Sequence, residues 1–272
     1  MRIAGLEIHR HSKTWRWSYG VHDYYPVDPN PRWGHGKPPH TKINDLLNRQ
    51  RGEFAALLNQ FLEHRDIIES VPATYWDNVF FSYLDAASLV TMLAFKAPLR
   101  YMEIGSGYST KFARHAISGA KTKSTILSLD PEPRADIDAL CDFVIRSRLE
   151  DCDLSIFDQL EPNDILFFDG SHRVFTNSDV TVFFLELMPR LKPGVIVHIH
   201  DVFLPWDYHP AWNHRLYSEQ YMLAAMLLCP KPSFSVLLPN AFICLEKELH
   251  ARVPAFLSPP DWVGGSFWIQ MG

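Results

Sequence analysis

The stretch Tyr101-Met102-Glu103-Ile104-Gly105-Ser106-Gly107-Tyr108-Ser109-Thr110 decides the reading of this chain. A short apolar run contains an acid, two glycines follow one residue apart, and hydroxyl residues open what comes next. That order predicts a strand, a tight turn and the start of a helix. Gly105 and Gly107 allow a sharp turn and close approach of a ligand to the backbone. Ser109 or Thr110 can cap the helix. A lone G-x-G also suits a dinucleotide or a plain loop. Here the third glycine of the dinucleotide fingerprint is missing, with Lys111 and Phe112 in its region, which argues against close approach of a pyrophosphate. Glu103, the acid before the first glycine, fits a cationic, amine-bearing ligand better than an anionic one.

Downstream, short apolar runs alternate with helical stretches. Strands are predicted over 99–104, 124–129, 141–145, 164–168, 194–199, 233–238 and 266–269, with helices over 109–117, 135–140, 178–191 and 215–228. Such alternation implies a doubly wound, mostly parallel sheet, which binds ligands at the carboxyl ends of its strands. Upstream, leucines and phenylalanines at three- and four-residue spacing predict a helix over 43–68, and another over 82–95 stops before Pro98. The first 40 residues interleave Trp15, Trp17, Tyr19, Tyr24, Tyr25 and Trp33 with five prolines. Prolines at that density oppose a long helix, and so many aromatics do not suit a disordered tail. An irregular arm packed on the body is expected, with a substrate lid or a homodimer contact as its alternative role. The chain divides into an N-terminal helical and irregular extension, 1–95, and a ligand-binding domain, 96–272.

Three further positions carry chemistry just after strands. Asp130 lies 25 residues beyond Gly105, close to the spacing at which an acid receives ribose hydroxyls; Asp before Pro131 also suits a turn. Asp169-Gly170-Ser171-His172 follows one apolar run, and His198-Ile199-His200-Asp201 ends another. Alternate residues of a strand share a face, so His198 and His200 point the same way. If the two strands are neighbours, about 5 Å apart, Asp169, His172, His200 and Asp201 converge.

Composition narrows the classes. With 47% hydrophobic and 21% charged residues, the chain reads as an ordinary globular protein. A net charge of −5 and no basic stripe make a nucleic-acid partner unexpected. No apolar run approaches the roughly 18 residues of a membrane span. Cys141, Cys152, Cys229 and Cys244 form no paired motif and read as reduced thiols. Residues 1–10 lack the apolar core of a secretion signal. A cytoplasmic location is expected.

Together, the 101–110 string, Asp130-Pro-Glu-Pro-Arg134, the Asp169-Gly-Ser-His172 turn and the closing Gly264-Gly-Ser-Phe-Trp268 resemble the class I S-adenosylmethionine (SAM)-dependent methyltransferases. More narrowly they resemble a bacterial methyltransferase-domain family whose substrates are largely unassigned. Pro31-Arg-Trp-Gly-His-Gly36 and the stretch 75–89 share that likeness. The resemblance implies a seven-stranded Rossmann-like sheet whose last strand is antiparallel. It implies that Glu103, Gly105, Ser106, Gly107 and Ser109 border the methionine end of SAM, that Asp130 holds the ribose, that Glu150 and Asp151 approach the adenine, and that Asp169 lies beside the cofactor. Catechol-type relatives hold a divalent metal at positions matching Asp169, His200 and Asp201. Histidine is a poor magnesium ligand, and a mixed His/carboxylate set suits Zn²⁺, Fe²⁺ or Mn²⁺ better.

The favoured reading is transfer of a methyl group to a hydroxyl of a sugar or other small molecule. A hydroxyl nucleophile benefits from a base of near-neutral pKa, which makes His172, His200 and Asp201 the catalytic candidates, with a divalent ion as the alternative. Two other classes stand beside it: a SAM-binding protein that has lost catalysis and serves as a regulatory partner, and an NAD-dependent oxidoreductase, which the missing third glycine disfavours. The aromatic segment 203–212 is expected to cover the site.

Overall fold

In a computed structural model, residues 29–81, 83–257 and 264–272 are described, together with the backbone of 2–3 and 6–7, which pair as a short antiparallel ribbon. The expected arm therefore falls largely outside the described residues, Trp15, Trp17, Tyr19, Tyr24 and Tyr25 among them.

Seven strands form one mixed sheet. They are β1 Arg100–Ile104, β2 Thr125–Leu129, β3 Phe143–Ile145, β4 Ile165–Phe168, β5 Ile196–Ile199, β6 Phe234–Pro239 and β7 Phe267–Met271. Their spatial order is β3-β2-β1-β4-β5-β7-β6. The first five run parallel, while β7 lies antiparallel between β5 and β6. Every residue of β4 and β5 is buried, as expected for strands covered on both faces. The expected fold class is therefore the one the chain adopts.

Strand register places the chemistry. Ile104 is level with Leu129 and Phe168, and Phe168 with Ile199. One residue further on, Gly105, Asp130, Asp169 and His200 all stand at the same carboxyl edge.

Four helices matter to the site or its support: α1 Thr41–Arg49, α2 Arg51–Glu63, α3 Tyr83–Lys96 and α4 Tyr108–Gly119; a fifth, α5 Glu219–Leu227, follows the aromatic segment. In α3 every residue from Leu84 to Leu93 is buried, so its polar members must find partners inside the protein. Ser88 Oγ accepts from the Trp268 indole at 3.2 Å, and Asp85 serves the site described below.

Several helices differ from expectation. The run over 43–68 breaks at Gln50 and again at His64, where the backbone leaves helical geometry. Over 135–140 only a 3-10 turn, Asp138–Leu140, forms; so short a segment gains too few hydrogen bonds to offset nucleation. The helix over 178–191 is one α-turn, Asp179–Val182, then a π-turn, Phe183–Leu187, then a 3-10 turn. Pro189 cannot donate the bond a regular helix needs there. Leu216, left-handed at φ 58°, ends the 3-10 turn Pro210–Arg215, so α5 starts only after Ser218.

Residues 29–40 dock against the aromatic segment. Asp207 Oδ2 accepts the backbone N–H groups of Arg32 and, at 2.9 Å, Trp33. His40 N–H donates to Pro205 O at 2.9 Å. An added Cβ on Gly34 would lie 2.1 Å from Trp206 Cδ1, so the Trp-Gly of this stretch is shaped to the loop it meets.

Candidate active site

The glycine turn begins with a steric requirement. Gly105 sits at φ +82°, and a Cβ there would stand 1.9 Å from the Asp169 carbonyl oxygen. No other residue fits where the first loop crosses the end of β4. Gly107 is extended, and an added Cβ would meet only Arg134 Cβ, at 3.8 Å. Its N–H donates to Thr110 Oγ1 at 3.1 Å, so Thr110, three residues on, supplies the hydroxyl at the helix start.

Above this turn lies a cavity of about 350 Å³, within the usual size of small-molecule sites. Gly105, Ser106, Gly107, Ser109, Asp130, Glu150 and Asp169 line it. Asp130 Oδ2 accepts from Ser106 N–H at 2.7 Å, and its Oδ1 accepts from Glu132 N–H at 2.7 Å. The acid thus ties the glycine loop to the end of β2 and still faces the cavity.

Two of the expected cofactor residues lie elsewhere. Glu103 is fully buried behind the loop, accepting from the Tyr101 hydroxyl at 2.8 Å and the Thr110 hydroxyl at 2.5 Å. Burial pushes its pKa up to about 7 against those hydrogen bonds. Asp151 is exposed and paired with Arg148 at 2.5 Å.

The second group stands next to the cavity and shares Asp169 with it. His172 is 2% exposed. Its Nδ1 lies 2.5 Å from Glu219 Oε1, and its Nε2 lies 3.2 Å from Asp169 Oδ1 and 3.6 Å from Asp201 Oδ2. Burial works against a charge on this imidazole, but Glu219 and Asp169 outweigh it and raise the pKa well above an ordinary histidine's. Both ring nitrogens face carboxylates, so neither stands as an open acceptor.

His200 is 4% exposed. Its Nε2 lies 3.4 Å from Asp85 Oδ2, and its Nδ1 lies 3.5 Å from Asp169 Oδ1 and 3.8 Å from Asp201 Oδ1. Among the described residues, Nδ1 forms no well-directed hydrogen bond. Burial opposes charge here too, and Asp201 and Asp169 raise the pKa. Asp169, also disfavoured by burial, is held well below the usual carboxylate range by His200 and His172. One donor atom each from Asp169, His200 and Asp201 falls within 4.8 Å of the others, a span that ligands on one divalent ion can occupy.

His198 shares the face of His200 but takes no part in the cluster. It stacks on Trp268 at 3.8 Å and bonds Ser266 Oγ at 2.6 Å. Burial holds its pKa well below the ordinary value, so it is a neutral packing residue.

Sequence reasoning missed two acids, Asp85 and Glu219, each buried against one of the histidines. For Asp85 the signal was present: an acid opening the otherwise apolar run Leu84-Asp85-Ala86-Ala87-Ser88-Leu89-Val90 has to answer something in the core. Glu219 follows Ser218 at a helix start, where acids are ordinary, and so it carried no signal. The segment 203–212 approaches the cluster through Tyr208 and Trp212, whose rings lie 5.7 and 5.8 Å from that of Tyr217, itself 4.3 Å from His172.

Residues 102–202 match a family described as a methyltransferase domain, and the resemblance to the class I methyltransferase superfamily stands. Among the curated proteins, none matches the chain. Solved structures similar to it include a methyltransferase of Podospora anserina bound to S-adenosylhomocysteine (SAH), at 18% identity over 78% of this chain and 88% of that one, with a TM-score of 0.43. An O-methyltransferase from Bacillus cereus with SAH is 16% identical over 86% and 96%, TM-score 0.43. An O-methyltransferase of tomaymycin synthesis from Streptomyces achromogenes with SAM is 13% identical over 85% and 98%, TM-score 0.38. At these identities and scores the likeness does not extend to substrate or chemistry.

Proposed function

We propose that this protein is a SAM-dependent methyltransferase that transfers the methyl group to a hydroxyl of a small molecule, with a divalent cation held by Asp169, His200 and Asp201. The observation that carries the reading is the meeting of two sites at one residue: Asp169 borders the cavity over the glycine loop and also belongs to the three-donor cluster. A donor bound over Gly105–Gly107 and an acceptor at Asp169 would therefore be neighbours, as in-line transfer requires.

The donor set fits a cation. Two carboxylates and an imidazole nitrogen that makes no directed hydrogen bond among the described residues converge there. When bound, such an ion lowers the pKa of an acceptor hydroxyl. The chain's own residues do the rest. Asp130 and the Ser106 N–H hold the cofactor end of the cavity in shape. His172, its Nε2 3.2 Å from Asp169 Oδ1, limits the rotation of that carboxylate and is itself fixed by Glu219. With both nitrogens engaged, His172 suits this positioning role better than that of a free base. The division at residue 96, with the N-terminal extension shaping the acceptor side, belongs to the same proposal.

The test is dialysis against a chelator, followed by transfer of a radiolabelled methyl group to hydroxylated small molecules from a cell extract. Activity lost and then restored by Mn²⁺ supports the cation. Full activity without any metal overturns that part. Turnover of NADH with no SAH binding would overturn the whole reading.

A further inference from the structure

The environment of His200 is asymmetric. On one side Nδ1 looks between Asp169 and Asp201 with no directed hydrogen bond. On the other, Nε2 faces Asp85 Oδ2. Asp85 can only accept, so when a cation takes the place of the proton on Nδ1, Nε2 keeps its own proton and Nδ1 offers the lone pair. Histidines that ligate metals show this arrangement, with a carboxylate on the far nitrogen fixing tautomer and orientation.

Asp85 is unusually well anchored for that task. Its Oδ1 accepts from the Asn240 amide at 2.8 Å and from Ser266 N–H at 2.9 Å, and its Oδ2 accepts from Gly265 N–H at 2.8 Å. The glycines before β7 make this possible. A Cβ on Gly264 would stand 2.8 Å from Asp85 Oδ1, and one on Gly265 would stand 3.3 Å from Asp201 Cα. The Gly264-Gly265-Ser266 turn is thus built around Asp85, and α3, the end of β5 and the start of β7 meet at one imidazole.

We propose that Asp85 sets the metal preference of the site: by holding the Nε2–H of His200 it aims the Nδ1 lone pair between Asp169 and Asp201, so that the site takes a first-row divalent cation such as Mn²⁺ in preference to Mg²⁺. The inference rests on the reading of Asp169, His200 and Asp201 as a cation site. A nitrogen donor discriminates against Mg²⁺, which prefers oxygen, and follows the affinity order of first-row metals.

Calorimetric titration of metal-stripped protein with Mn²⁺ and with Mg²⁺ tests it, alongside a separate SAH titration. Wild type should bind Mn²⁺ at least about tenfold more tightly than Mg²⁺. Asp85→Asn should lose about 10–100-fold in Mn²⁺ affinity, with Mg²⁺ affinity little changed. Because this change disturbs a buried network, a second measurement uses unaltered protein. In ¹⁵N-histidine spectra, Zn²⁺ should shift the Nδ1 signal that His200→Asn removes and leave its Nε2 protonated. Equal affinities for Mn²⁺ and Mg²⁺, or His200 nitrogens unmoved by Zn²⁺, would overturn the proposal. Failure of the methyltransferase reading shows separately, as absence of SAH binding.

Discussion

Asp130 touches two backbone amides and a cavity, and the consequences of removing it can be sized. Asp130→Ala releases Ser106 N–H and Glu132 N–H and removes a charged acceptor from the cavity wall. Hydrogen bonds to charged groups contribute about 1.5–3 kcal/mol each, so SAH affinity should fall at least tenfold by calorimetry (about 1.4 kcal/mol). Unchanged affinity would mean that the ligand does not use this acid. Glu103 makes a different prediction. Its pKa, about 7 in the folded protein against an ordinary 4.5, means that the folded protein holds this proton more tightly. The associated stability is complete below about pH 4.5 and is lost as pH rises through about 7. Glu103→Gln should therefore unfold with a shallower fall in stability over that window, the difference being on the order of 3 kcal/mol at most. Parallel pH profiles of the melting temperature would show that Glu103 titrates normally.

Between elements, the tight crossing of the first loop over the end of β4 is the least tolerant point. Gly105→Ala combines a left-handed backbone with a 1.9 Å clash against a carbonyl. It should cost at least about 2–3 kcal/mol in urea unfolding, more than left-handed strain alone. A second junction joins residues 29–40 to the aromatic segment through Asp207, which also accepts from the Tyr221 hydroxyl at 3.1 Å. Asp207→Ala should expose 29–40 to limited proteolysis several-fold faster, while SAH affinity stays the same, because none of these residues borders the cavity over the glycine loop. Protection equal to wild type would mean that the aromatic contacts of Trp33 and Trp206 suffice without Asp207.

Taken whole, the sheet puts its last strand inside. β7 pairs with β5 on one side and β6 on the other, so a chain ending at residue 263 would lose the bridge between them and the amides that anchor Asp85. Such a truncation should show no cooperative thermal transition by circular dichroism; a sharp one would mean that the first five strands fold independently. No helix among the described residues is long and apolar enough to cross a membrane. What could be read from the linear sequence was whatever local chemistry dictates: the strand–glycine–helix turn at 101–110, the alternation of strands and helices, the acids and histidines placed just after apolar runs. These follow from period, steric freedom at Gly105 and turn residues, all of which act over a few positions. Helix interruptions at Gln50, His64 and Leu216 were not legible, since packing rather than propensity decides them. Asp85 was marked only as an acid within an apolar run and Glu219 not at all, since their histidines stand 115 and 47 positions away. A buried carboxylate is tolerable only where a proton or cation meets it, and that meeting is arranged by sheet order and helix docking. The sequence alone therefore marked which residues carry chemistry; only the tertiary structure decided which of their atoms are engaged, which are left open, and that His200 rather than His198 faces the acids.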